Sequence, residues 1–188
     1  MRLGLLGGSF DPPHVGHLLV AHDAAEKLAL DQLIFIPAAV QPLKAGQASA
    51  TPAQRLAMVR RLVAGEGRFA VDPSEIERGG LSFTVDTLAA YAERYPDAER
   101  FFLVGADVLG AFGRWREAER ILRLATVVVM ERAGDEPPAL LPGMLPVETR
   151  RVDVSSTEIR ARVRAGRSIR GFVPDAVAEF IATEGLYR

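Results

Sequence analysis

The sequence has no cysteine. That single absence removes a disulfide framework, thiolate zinc sites and a cysteine nucleophile. Lysine is nearly missing as well: it stands only at positions 27 and 44, and arginine carries the rest of the positive charge. There is no excess of either sign, with 23 basic against 24 acidic residues and a net charge of −1. A nucleic-acid or anionic-membrane partner therefore has no electrostatic footprint, whereas a small anion needs only a local cluster. Long apolar runs are lacking too. The longest, Leu124 to Met130, is broken by Thr126 and is strand-sized, far short of the roughly 18 residues that span a bilayer. The opening MRLGLLGGSFD lacks the apolar length and cleavage site of a signal peptide, so a cytoplasmic location is expected.

What remains is 188 residues, 48% hydrophobic and 25% charged, suited to one domain over residues 1–188 with a helical portion from about residue 155. Short apolar runs alternate with amphipathic stretches. Leu3 to Gly7 does not alternate and reads as a strand buried on both faces. Val15 to Leu30 reads as a helix with Val15, Leu18, Leu19, His22, Ala25 and Ala29 on one stripe. Leu33 to Ile36 is a second strand, followed by a loop over 37–50. Thr51-Pro52-Ala53-Gln54 starts a helix to about Val63, through a cap hydroxyl, an early Pro and a capping-box Gln. Arg55 on that helix reads as a solvated face residue.

Further on, a short strand is expected over 68–71, a loop over 72–80, and a helix from Thr84 to Tyr95 stopped by Pro96. A strand follows over 101–104, one or two helices over 106–124 and a β-branched strand over 125–130. Residues 133–146 are rich in Pro and Gly and read as a mobile connection. A last strand lies within 147–154, and helices start at Ser155 and Pro174. This alternation predicts an α/β doubly wound parallel sheet, in which ligands bind at the carboxyl ends of the strands.

Gly7-Gly8-Ser9-Phe10-Asp11-Pro12-Pro13-His14-Val15-Gly16-His17 occupies the first strand-to-helix junction. The dinucleotide fingerprint fails there, because counting from Gly4 its second glycine falls on Leu6, and no Gly-Lys pair exists for a Walker loop. All three histidines lie at 14, 17 and 22. His14 and His17 are spaced to share one side of a helix start, where free N–H groups and the positive helix end favour a phosphate. They can equally be cap and surface residues. A metal pair lacks a third ligand and the usual spacing, so no metal ligand is assigned. His22 reads as a core or supporting residue. Ser155-Ser156-Thr157-Glu158-Ile159-Arg160 is a second helix start, able to offer N–H groups, hydroxyls and a guanidinium to a polyphosphate. It also fits an ordinary capping box.

These segments resemble a known family. Gly8 to His17 is similar to the G-[ST]-F-D-P-x-H-x-G-H signature of nucleotidylyltransferases, and Ser155 to Arg160 to their S-S-T-x-I-R motif. Within that superfamily the chain most resembles the bacterial nicotinate mononucleotide adenylyltransferases, through Glu77 to Leu88, Gly105-Ala106-Asp107 with Phe112 and Trp115, and the tail from Pro174 to Tyr187. It departs from them at Gln41-Pro42-Leu43-Lys44, where the family has P-P-H-K, and at Phe83, where Tyr is common.

The resemblance implies a Rossmann-like nucleotidylyltransferase fold and transfer of AMP from ATP to nicotinate mononucleotide, giving deamido-NAD and pyrophosphate, with Mg²⁺ accompanying ATP. It implies catalytic roles for His14, His17, Lys44 and Arg160. ATP would further meet Gly7, Gly8, Ser9, Phe10, Gly105, Asp107, Ser156 and Thr157. The mononucleotide would meet Gly8, Ser9, Lys44, Phe83, Thr84 and Trp115, with Trp115 stacked on the pyridine ring and the helix start at Thr84 facing the carboxylate. Read without the resemblance, Asp107 is equally a helix cap and Trp115 a core residue. Other substrates for the same fold are nicotinamide mononucleotide and phosphopantetheine. A module that binds ATP without turnover is the non-enzymatic alternative. A homo-oligomer is compatible with the sequence, which carries no signal that fixes assembly.

Overall fold

The computed structural model describes residues 1–42, 49–135 and 139–188. Six strands form one parallel sheet in the order β3-β2-β1-β4-β5-β6. They are β1 (Arg2–Gly8), β2 (Gln32–Pro37), β3 (Phe69–Val71), β4 (Glu99–Gly105), β5 (Thr126–Arg132) and β6 (Met144–Thr149). The chain winds outward from β1 to β3, then returns to the centre at β4. The order therefore reverses between β1 and β4, and a crevice opens beyond their carboxyl ends. The helices are α1 (Val15–Lys27), α2 (Pro52–Leu62), α3 (Ser74–Arg78), α4 (Thr84–Arg94), α5 (Leu109–Phe112), α6 (Ala118–Leu124), α7 (Ser156–Arg164) and α8 (Asp175–Thr183).

The missing alternation in β1 has the expected cause. Leu3 and Leu5 enter one core with Ile34, Phe102 and Val127, beneath α4 and α6. Leu6 enters the other with Phe35, Leu103 and Val128, against α1, α2, α7 and α8. Each such side chain contributes about 1.5–3 kcal/mol relative to exposure. Gly4 faces the second core where a Cβ would press on Leu103 and Leu33.

The α2 start forms as expected, with Thr51 Oγ1 accepting from the Gln54 N–H and Gln54 Oε1 accepting from the Thr51 N–H. Several expectations are corrected. α1 stops at Lys27, because Ala29 turns left-handed at φ 48°. Its buried face is Ala21, Ala24 and Ala25, so His22 is a half-buried flank residue against Phe69 and Glu66 rather than core. The segment 72–80 contains α3, started by Asp72 Oδ1 accepting from the Ser74 N–H. It is too short to show a periodicity. Residues 106–124 hold two helices, within the expectation: α5 follows a 3₁₀ turn (Ala106–Val108), and α6 is entered through left-handed Glu117. β6 begins within the Pro- and Gly-rich stretch and ends at Thr149. It is an edge strand, where Pro146 removes no interior ladder bond. No helix among the described residues is long and apolar enough to cross a membrane.

Candidate active site

A cavity of about 950 Å³ lies over the carboxyl ends of β1, β2 and β4. It takes in both motif segments, from Gly7 to His17 and from Ser155 to Arg160, together with Thr84, Gly105, Asp107 and Trp115. One of the expected residues is not brought there. Phe83 packs its ring into the core beneath the Arg116 guanidinium, 4.8 Å from the ring centre, and only its backbone serves α4, as the N-cap. Lys44 lies outside the described residues.

At the start of α1 the two imidazoles stack, with ring centres 3.8 Å apart. The His14 N–H donates to His17 Nδ1 at 3.1 Å. Neutral His17 must then carry its proton on Nε2. Burial holds His14 down at about 4 and, with the neighbouring His14 charge, holds His17 well below its ordinary value. Both rings are thus neutral in the free protein. His14 is 8% exposed and its Nδ1 lacks a partner. That nitrogen lies over Gly16, where a Cβ would come within 2.9 Å of it. The spacer glycine is therefore the room the His14 ring occupies.

The expected set of free N–H groups is corrected. Besides the His14 N–H, that of Val15 is taken by the Phe172 carbonyl and that of His17 by the His14 carbonyl. The two imidazole rings are then the side-chain donors that this helix end can offer. Phe10 is buried, with φ 51°, and packs edge-on against His17 at 5.1 Å. Its ring supports the histidine. Gly8 makes space for that ring, since a Cβ there would meet Phe10 Cζ at 2.9 Å. Ser9 Oγ donates to Gln41 Oε1.

The start of α7 docks directly on the first motif. Ser156 Oγ donates to the Pro12 carbonyl at 2.8 Å, and Arg160 Nη1 to the Asp11 carbonyl at 2.7 Å. Arg160 Nη2 also donates to Thr157 Oγ1. Ser155 Oγ accepts from the Glu158 N–H, so the ordinary capping bond is formed at the helix start that lines the cavity. Asp107 sits exposed inside the 3₁₀ turn rather than capping a helix. A Cβ at Gly105 would collide with its carboxylate. Trp115 lines the cavity while packing against Phe102 and Phe112, so it is a half-buried wall residue and not a fully enclosed core one.

Three features escaped the sequence reading. Arg55 is 2% exposed, not solvated, and donates to the Ser9 and Ala39 carbonyls. Asp11 accepts from the Ser49 and Ala50 N–H groups and from the Tyr187 hydroxyl. Asp11 was visible in the signature but offered no clue to its distant partners. Arg132, at the end of β5, also lines the cavity.

A cytidylyltransferase-like family model matches residues 5–162. The chain is 57% identical over 197 residues to a probable nicotinate-nucleotide adenylyltransferase of Gemmatimonas aurantiaca, covering 100% of this chain and 93% of that protein. It is 45% identical over 191 residues to one of Thermus thermophilus, covering 100% of both. A solved structure of Plasmodium falciparum nicotinic acid mononucleotide adenylyltransferase complexed with NaAD superposes with a TM-score of 0.82 at 17% identity, over 99% of this chain and 97% of that one. At that identity the likeness is one of fold.

Proposed function

The chain belongs to the nicotinate-nucleotide adenylyltransferase family, and we propose that the cavity over β1 and β4 is where it carries out that chemistry, with the whole chain acting as one catalytic domain. The reaction joins AMP from ATP to nicotinate mononucleotide, giving deamido-NAD and pyrophosphate. A mononucleotide phosphate oxygen attacks the α-phosphorus, and the bond from that phosphorus to the bridging oxygen of the β-phosphate breaks. The nucleophile is already anionic, so neither a general base nor a covalent enzyme intermediate is needed. What the protein must supply is alignment of two mutually repelling anions and donors where charge grows.

The observation that carries this reading is the direct docking of α7 on the histidine motif, which brings Arg160 and the two imidazoles to one cavity. His17 donates from Nε2 toward the α-phosphate, and His14 acts beside it. Arg160 and Lys44 meet the triphosphate and the leaving pyrophosphate, with Ser156 and Thr157 at the same helix start. Asp107 accepts from the ATP ribose hydroxyls. Trp115 stacks on the pyridine ring, and the first turn of α4 at Thr84 receives the nicotinate carboxylate, since a helix N-terminus favours an anion.

ATP enters as its magnesium complex. Among the described residues no group of three or more His, Asp or Glu side chains converges to hold an ion. This donor set fits an ion carried by the phosphates and water, which neutralises phosphate charge when bound. The reading places the enzyme in the cytoplasm, where ATP is at hand, and is compatible with a homo-oligomer.

The test is pyrophosphate release with ATP and, in parallel, nicotinate mononucleotide, nicotinamide mononucleotide and phosphopantetheine. The expected result is the highest kcat/KM with nicotinate mononucleotide and no turnover of phosphopantetheine. Equal use of the acid and the amide would reject the role given to the α4 terminus. ATP binding without pyrophosphate release in the presence of any of the three acceptors would reject the enzyme reading.

A further inference from the structure

Beneath the mononucleotide half of the cavity runs a chain of buried polar groups that the reaction itself does not use. It starts at the Ser9 carbonyl, which accepts from Arg55 Nη1 at 2.7 Å. Arg55 Nη2 donates to the Ala39 carbonyl at 2.8 Å. The N–H of the same Ala39 donates to Ser82 Oγ at 2.9 Å. Ser82, two residues before α4, also donates its own N–H to the Val40 carbonyl, and in the first turn of α4 Thr87 Oγ1 donates to the buried Glu75 carboxylate of α3 at 2.5 Å. Every member lines the cavity. The first set of contacts ties the loop after β1 and the chain beyond β2 to the residue leading into α4, and the second braces the first turn of α4 on α3.

Its composition is costly unless it has a use. Arg55 is 2% exposed and Glu75 7%. Arg55 Nε has no hydrogen-bond partner. Burial pushes the Glu75 carboxyl up, and the Thr87 hydroxyl pulls it back. Apolar residues of similar volume would often be as stable or more so. What a connected polar network adds is a fixed geometry. Here that geometry is the separation between the phosphate end of the site, at Ser9, and the helix terminus at Thr84.

We infer that Glu75, with Thr87 and Ser82, is a positioning device for the mononucleotide: it holds the first turn of α4 in register with the loop after β1, so that one rigid substrate meets both ends. This rests on the reading of the site given above. A rigid acid substrate must satisfy both ends at once. Small slippage of α4 then weakens mononucleotide binding and acid selectivity while leaving ATP, held at α1 and α7, unaffected.

Thr87→Val keeps shape and charge and deletes one hydroxyl, and Thr87→Ser restores it. Steady-state kinetics of the full chain should show KM for nicotinate mononucleotide raised about tenfold in Thr87→Val, the scale of one lost buried hydrogen bond. KM for ATP and kcat should stay within about twofold, and the acid-over-amide ratio of kcat/KM should fall. Thr87→Ser should recover most of the loss. Ser82→Ala, a milder cut elsewhere in the chain, should shift the same parameters in the same direction. The inference is overturned if Thr87→Val leaves the mononucleotide KM unchanged, if it raises both KM values alike, or if Thr87→Ser does no better. Wild-type turnover of nicotinate mononucleotide separates these failures from failure of the underlying reading, which would abolish the reference activity itself.

Discussion

The His14 N–H donates to Nδ1 of His17, three residues further along the same helix start. The bond fills the place of a capping-box return contact with an imidazole instead of a Glu or Gln. It fixes the ring orientation and leaves Nε2–H as the one donor of neutral His17. His17→Ala removes that donor and should lower kcat about 10²–10³-fold, the usual loss for one transition-state donor. Pyrophosphate release at saturating substrates measures it, and wild-type turnover by the variant would remove His17 from the mechanism.

Keeping two stacked imidazoles neutral has a consequence for stability. His14 titrates at about 4 in the folded chain against 6.5 in an unfolded one. Between those values the unfolded state binds more protons, so stability falls as pH drops from 6.5 toward 4 and is unaffected above 6.5. The accumulated loss below pH 4 is about 3 kcal/mol for this one group. Melting temperatures measured from pH 8 to pH 4 should therefore decline less steeply in His14→Gln than in wild type. Coincident slopes would show that His14 is not held neutral by burial.

Gly16 provides a cleaner separation of activity from stability. A Cβ at this position would stand 2.9 Å from His14 Nδ1 and 3.0 Å from its Cε1. The imidazole must move, whereas the helix backbone prefers Ala by about 0.5–1 kcal/mol. Gly16→Ala should thus hold or raise the melting temperature while cutting kcat about tenfold or more, the sensitivity expected of a misplaced catalytic group. An active variant with an unchanged melting curve would mean that the His14 ring need not sit over Gly16.

Local signals were enough to reveal the sheet, because a strand buried on both faces cannot alternate, and Leu3, Leu5 and Leu6 do not. The α2 start was equally legible, since all its capping groups lie within four residues. Both motif segments were visible for the same reason. What stayed hidden depends on partners distant in the chain. Phe172 consumes the Val15 N–H, Tyr187 reaches Asp11, and Arg55 turns inward because Ser9 and Ala39 present carbonyls to it. Phe83 misled in the opposite sense, since the family resemblance suggested a cavity position, while the turn into α4 lays its ring half-buried against the core.

Trp115 stands half-buried at the cavity wall with Phe102 and Phe112 behind it. Those two rings fix its plane before any ligand arrives, which lowers the ordering cost of stacking. Trp115→Ala should raise KM for the mononucleotide about tenfold, given that an aromatic pair adds about 0.5–1.5 kcal/mol beyond its buried area. KM for ATP should change little. Initial rates at varied concentrations of each substrate distinguish the two, and an equal rise in both would assign Trp115 to the core alone.

Arg160 tests whether the joint between the two motifs is also a catalytic contact. Its Nη1 is engaged by the Asp11 carbonyl and its Nη2 by Thr157 Oγ1, so the guanidinium is aimed by the same segment that carries the histidines. Arg160→Ala removes both the joint and the charge and should lower kcat/KM for ATP about 10²-fold or more. Arg160→Lys keeps the charge on a flexible stem without the planar fork. If aiming matters, the lysine variant should fall clearly between alanine and wild type, with raised salt sensitivity because a less rigidly held charge is screened more. If charge alone matters, Lys and Arg should be equivalent at every salt concentration, and the bond to Asp11 would then be structural only.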